Sequence, residues 1–139
     1  MQNSKLMTQI IFITSLIATL GSLYFSEIRG YLPCELCWYQ RILMYPIIII
    51  SLSHILSNSK SLIYPTAILS CLGILVSSYH YALQNIPGLS GSHECKIGDC
   101  TVQFIQWGGF ITIPFLALIA FIIIFVSSII YIKGAKHNG

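Results

Sequence analysis

The chain has 139 residues, of which 55% are hydrophobic and 8% charged, with a formal net charge of +3 and a mean hydropathy of +0.80. Water-soluble domains carry about 25% charged residues, so this composition excludes a soluble globular fold and predicts an integral membrane protein with no nucleic-acid partner.

Reading along the chain then becomes a search for spans. Lys5 and Glu27 bracket an uncharged run, and residues 6–25 supply the roughly 20 apolar positions that a helix needs to cross the hydrocarbon core. A cleaved signal peptide would have a shorter apolar stretch ending in small residues; Tyr24, Phe25 and Ser26 follow here, which predicts a retained anchor. The second span is expected over residues 38–56, with Arg41 in its first turn and Lys60 beyond its end. A third covers 62–83, with Pro65 tolerated near its start, and a fourth covers 110–132, stopped by Lys133 and Lys136. The expected fold is therefore an all-α four-transmembrane-helix bundle forming one integral membrane domain over residues 1–139.

Short cytoplasmic loops retain Lys and Arg. Lys5, Lys60, Lys133 and Lys136 fall on one side without an acid among them, whereas Glu27, Arg29, Glu35, Glu94, Lys96 and Asp99 collect on the other, with Arg41 at its boundary. Both termini are thus expected in the cytoplasm of a multi-pass protein of the cytoplasmic membrane, with two loops outside. Tyr24, Tyr31, Trp38, Tyr39, Tyr81 and Trp107 fall at the outer span ends and Tyr64 and Tyr131 at the inner ones, as expected for interfacial aromatic residues.

That topology sorts the five cysteines. Cys34, Cys37, Cys95 and Cys100 lie in the two outer loops, and Cys71 lies in the third span, where it is expected as a buried packing residue. Outside the cytoplasm, thiols are usually oxidised and even numbers of them read as disulfides. Cys34 with Cys37, and Cys95 with Cys100, would close very small rings, which remove little entropy from the unfolded chain and make poor staples. Such pairs suit opening and closing instead.

Exchange requires a thiolate. Around Cys37, in the sequence LPCELCWYQRILM (residues 32–44), two sources of positive potential converge: the N-terminus of the second helix, and Arg41 one turn deeper on the same face. A charge at such a site defaults to a functional reading, against the alternative that it snorkels to the headgroups, and its guanidinium could also donate to a ligand carbonyl. In SGSHECKIGDC (residues 90–100), Gly91 and Gly98, with Gly88 before them, make the loop pliant. Lys96 favours a thiolate at Cys95, and His93 could act as a base. Two pairs on one side suggest a relay between a soluble protein and a carrier dissolved in the bilayer. The competing readings are a structural four-cysteine zinc site and disulfides that only rigidify the loops.

The segments IATLGSLYFSEI (residues 17–28) and PCELCWYQRILMYP (residues 33–46) resemble the DsbB family of membrane thiol oxidases, most closely its short Gram-positive branch. HYALQ, followed by IP, is similar to the family's HxxLQxLP pattern, and Trp107 with ITIPFLAL resembles its fourth-helix start. The resemblance covers almost the whole chain. It implies a protein-dithiol:quinone oxidoreductase that reoxidises a thioredoxin-like, DsbA-like thiol oxidase outside the membrane and passes the electrons to the membrane quinone pool, with the Gram-positive branch suggesting menaquinone.

By the same resemblance, a partner thiolate attacks Cys95, and the released Cys100 exchanges with the Cys34 and Cys37 disulfide. Cys37 passes electrons to a quinone beside Arg41, while His80 and Gln84 are candidates to line its pocket; their alternative role is interhelical hydrogen bonding. The chain departs from the wider family in two places: only four residues separate Cys95 from Cys100, as in the shorter branch, and Tyr79 stands where the family pattern has an arginine.

Overall fold

In a computed structural model, residues 2–28, 30, 35–85 and 113–137 are described. Four long helices account for nearly all of them: α1 (Gln2–Leu23), α2 (Glu35–Ser57), α3 (Ile63–Asn85) and α4 (Ile113–His137). Each is long and apolar enough to cross a membrane. Helix is the expected form, because in lipid every backbone N–H and C=O must be satisfied within its own segment. The prolines respect this constraint at two helix starts: Pro65 and Pro114 sit in the first turns of α3 and α4, where the missing N–H would have no intrahelical acceptor. Pro46 lies inside α2.

The helices form a ring in which each packs against two neighbours, α1 on α2, α2 on α3, α3 on α4 and α4 on α1. Contacts at the two ends fix their directions. Arg41, near the start of α2, meets Ser22 near the end of α1, while Gln40 meets His80 near the end of α3, and Tyr81 packs on Phe115 at the start of α4. At the opposite end His54 of α2 packs edge-on against Tyr131 of α4, with ring centroids 5.1 Å apart. Neighbouring helices are therefore antiparallel. Lys5, Lys60, Lys133 and Lys136 share the end at which α1 begins and α4 stops, and Glu27 and Glu35 belong to the other.

The bundle is apolar outside and partly polar within. Ile13, Ile17, Ile49, Leu56, Ile68, Leu75 and Ile130 are exposed, whereas Thr8, Ser15, Ser51, Thr66, Ser70, Ser77, Ser127 and Ser128 are buried. Lipid tails are as apolar as leucine, so helix contacts are made by small residues that allow close approach. Several of their hydroxyls are satisfied locally: Ser15 donates to the Phe12 carbonyl, Thr66 to Leu62, Ser70 to Ala67 and Ser128 to Ile124, whereas the Ser77 hydroxyl has no partner among the described residues. A core of Ile11, Met44, Ile47, Phe121 and Ile124 joins α1, α2 and α4.

One expectation for a single residue is corrected. Cys71 is exposed on the lipid-facing side of α3 rather than buried, because the helix turns Ser70 inward next to it. Tyr131 lies at the inner end as expected, but it is only 6% exposed and packs against His54 rather than facing outward.

The connection between α2 and α3 is tight. Asn58 adopts a left-handed conformation, with φ of 54°, and its N–H donates to the His54 carbonyl at 2.9 Å, capping α2. His54 Nδ1–H donates in turn to the Ser59 carbonyl at 2.8 Å, and a single 3-10 turn, Lys60–Leu62, leads into α3. Asparagine tolerates this backbone and glycine does so at no steric cost, whereas a β-branched residue does not. Asn58→Gly should leave the thermal midpoint in detergent unchanged or slightly raised, and Asn58→Val should cost about 1–2 kcal/mol.

Candidate functional site

Past Leu23, α1 widens into a π-helical turn, Tyr24–Ile28. Such turns leave backbone groups near their seam available to other partners and recur at functional sites. Here the partner is Arg41: its Nε donates to Ser22 Oγ and its Nη2 to the Ser22 carbonyl, both at 2.9 Å. The cation is thus held at the carbonyl end of α1, the negative end of that helix's dipole. Arg41 is 8% exposed, and its guanidinium carbon lies 5.5 Å from the centroid of the Trp38 ring. It is anchored inside the bundle and does not snorkel.

α2 begins at Glu35, three residues before the span expected from hydropathy, so Cys37 lies in its first helical turn and Arg41 one turn deeper on the same face. Both side chains line one cavity of about 420 Å³ between α1, α2 and α4. On α1 the lining runs from Thr14 to Ser26, a rise of roughly 18 Å. α2 contributes Cys37, Gln40, Arg41, Met44 and Tyr45, and α4 the stretch from Leu116 to Ile123. Four of these residues, Ile17, Leu116, Ile119 and Ile123, are also exposed on the outer surface of the bundle, Ile17 to 65%. The cavity therefore opens sideways between α1 and α4, towards the space that lipid occupies.

Polar groups in it are few. Besides Cys37 and Arg41 there is Gln40, whose side-chain amide Nε2 donates to His80 Nδ1 at 3.0 Å, which assigns the other ring nitrogen of a neutral His80 as its protonated one. His80 itself is 1% exposed and stands behind Gln40, outside the lining. Thr19 also lines the cavity; it is 9% exposed, and its hydroxyl has no hydrogen-bond partner among the described residues. Among the residues expected at the site, Cys37 and Arg41 are brought together and His80 joins them through Gln40. Gln84 belongs to α3, near its end. Cys34, Cys95 and Cys100, with His93 and Lys96, lie outside the described residues.

A sequence profile described as "Disulfide bond formation protein DsbB" matches residues 4–131 of the chain. The chain belongs to the DsbB family. Among curated relatives of this DsbB-family chain, "Disulfide bond formation protein C" of Bacillus subtilis (strain 168) is 50% identical over 131 residues, covering 91% of this chain and 92% of the relative. "Probable disulfide formation protein C" of Halalkalibacterium halodurans is 47% identical over 123 residues, covering 88% and 90%. No solved structure matches the chain at a significant level. Family membership and four apolar helices make this DsbB-family chain a multi-pass membrane protein of disulfide bond formation, an oxidoreductase role.

Gln40, Ser22 and Thr19 were not singled out by sequence reasoning. The signal available for Gln40 was its register: it lies three residues after Cys37 and directly before Arg41, a polar side chain where the apolar run has already begun.

Proposed function

We propose that the protein is a dithiol:quinone oxidoreductase that reoxidises a thioredoxin-like thiol oxidase on the extracytoplasmic side of the membrane, with both its termini in the cytoplasm. The observation that carries this reading is the shared cavity, in which a cysteine of the CxxC pair and a buried arginine face one apolar space open to the bilayer. Its volume and its sparse polar lining suit a small hydrophobic ligand bearing a few hydrogen-bond acceptors. A quinone has that character, and it would accept the two electrons and two protons that a dithiol loses on becoming a disulfide.

The donors fit as well. Arg41 has five N–H groups, of which Ser22 takes two among the described residues, leaving others for a quinone carbonyl oxygen. The unpartnered Thr19 hydroxyl offers another donor. In the relay, a thiolate of the partner attacks Cys95 and displaces Cys100; the partner's second thiol then releases Cys95, leaving the oxidised partner. The Cys95 and Cys100 dithiol next reduces the Cys34–Cys37 disulfide, and Cys37 delivers the electron pair at the cavity. The four cysteines are thus the catalytic residues, Arg41 and Gln40 hold the quinone head, and His80 fixes the Gln40 amide. Menaquinone is the acceptor suggested by the likeness to the Bacillus subtilis relative.

The test uses the full chain in lipid nanodiscs, mixed with a reduced thioredoxin-like oxidase and with either a naphthoquinone or a benzoquinone carrying a short isoprenoid tail. Quinol should form in a one-to-one ratio with oxidised partner; partner oxidation without quinol overturns the reading. Cysteine labelling with impermeant maleimide on intact cells and on inverted vesicles tests the sidedness.

A smaller effect is expected one step away. In Ser22→Ala the carbonyl contact to Arg41 survives and the hydroxyl contact is lost, so the guanidinium is less firmly held. The quinone KM should rise by about three- to tenfold, the scale of one ordinary hydrogen bond, because the guanidinium is loosened rather than removed, with partner exchange unaltered.

A further inference from the structure

Behind the cavity the third helix makes a close approach that the relay does not explain. Gly73 lies mid-way along α3, and a Cβ built on it would overlap three ring atoms of Phe121, Cγ, Cδ1 and Cε1, closer than carbon atoms can come. The other described glycines differ: a Cβ on Gly21, Gly30 or Gly134 would meet nothing. Phe121 is fully buried, and it is at the same time a lining residue of the cavity. Its ring is therefore a partition, with the α3 backbone against it on one side and the cavity on the other.

A partition of this kind has only limited ways to yield. The obstructing atoms belong to the rigid ring rather than to the tip of a flexible chain, and the ring is packed in the core with Met44 and Ile124. The empty space bordering it is the cavity. A side chain at position 73 would push the ring into that space. We propose that Gly73 is a positioning residue for the quinone site: by receiving the Phe121 ring against bare backbone, it sets the depth of the cavity and so admits quinones whose head carries a fused second ring. This rests on the quinone reading above.

The experiment compares wild type, Gly73→Ala, Phe121→Leu and the double variant, as full chains in nanodiscs, with a naphthoquinone and a benzoquinone of equal tail length. Alanine is the better helix former, so Gly73→Ala does not weaken α3 through propensity, and single-turnover exchange with the partner dithiol reports on its fold. Gly73→Ala should raise KM for the naphthoquinone by about tenfold, the scale of overpacking by one methyl group, raise it much less for the benzoquinone, and change kcat little. The smaller leucine in the double variant should restore the naphthoquinone KM. In parallel, 4-fluorophenylalanine at position 121 should show a shifted 19F resonance in Gly73→Ala before any quinone is added.

Equal effects on both quinones, a failure of Phe121→Leu to rescue, or an unmoved 19F resonance would each overturn the inference. If wild type reduces neither quinone, the quinone reading fails, and with it the selectivity; the 19F shift then still decides whether Gly73 sets the place of the Phe121 ring.

Discussion

In a Cys37→Ser protein, quinone reduction should fall to the uncatalysed background while the second cysteine pair still accepts electrons once. A serine hydroxyl cannot form a disulfide, so the couple at the cavity disappears and nothing remains there to carry the electron pair. In the proposed relay the Cys95–Cys100 disulfide is untouched by the substitution. One equivalent of partner dithiol should therefore be oxidised in a burst, after which turnover stops, with quinone present or absent. Quenched-flow sampling with thiol alkylation counts the equivalents, and quinol absorbance checks the background. Continued turnover would mean that electrons reach the quinone by a route that avoids Cys37.

The complementary variant, Cys100→Ser, leaves Cys95 as a free thiol; mixed with the oxidised partner, its thiolate should attack the partner's disulfide, displace one partner thiol and accumulate a mixed disulfide through Cys95, visible as a reductant-sensitive band. A structural zinc site predicts neither result. Nor do disulfides that only stiffen the loops, for which both variants would oxidise nothing and trap nothing.

The spans could be read from the sequence because lipid imposes one rule on the whole backbone: long uncharged runs must be helical. Charge punctuation by Lys5, Glu27, Lys60 and Lys133 then separates one run from the next. Helix ends were less legible. α4 runs to His137, past Lys133 and Lys136, because cations at a helix C-terminus suit its dipole and do not stop it. The pairing of Cys37 with Arg41 followed from helical register, which is local. Which way Arg41 turns is not local: it is decided by Ser22, nineteen residues earlier, at a seam where α1 changes to π geometry. Periodicity could not supply that contact, nor the fourth helix as the far wall of the cavity, nor Gln40 as the group between the cavity and His80. Cys71 was misplaced for a related reason. In a helix that is apolar on every side, hydropathy does not say which side faces lipid.

Arg41→Met should separate the two halves of the reaction. Methionine keeps an unbranched stem of similar reach and removes the charge and its fork of donors. A hydrogen bond from a charged group contributes about 1.5–3 kcal/mol, so the KM for quinone should rise by about 10- to 100-fold, with partner exchange changed by less than about twofold. Arg41→Lys should fall between, because an ammonium retains the charge but cannot hold the Ser22 carbonyl and hydroxyl through two separate nitrogens. Stability provides the control. Arg41 has no ion-pair partner among the described residues, so replacing it by an apolar side chain of similar size leaves no buried charge uncompensated, whereas truncation to alanine would also leave a hole beside Trp38 and Met44. The thermal midpoint of Arg41→Met should accordingly stay within a few degrees of wild type. A variant that folds as well, exchanges disulfides as well and binds quinone poorly would assign the arginine to the ligand. Equal losses of quinone turnover and partner exchange would instead make it a brace for α1 and α2, and the acceptor would have to be held by other groups in the cavity.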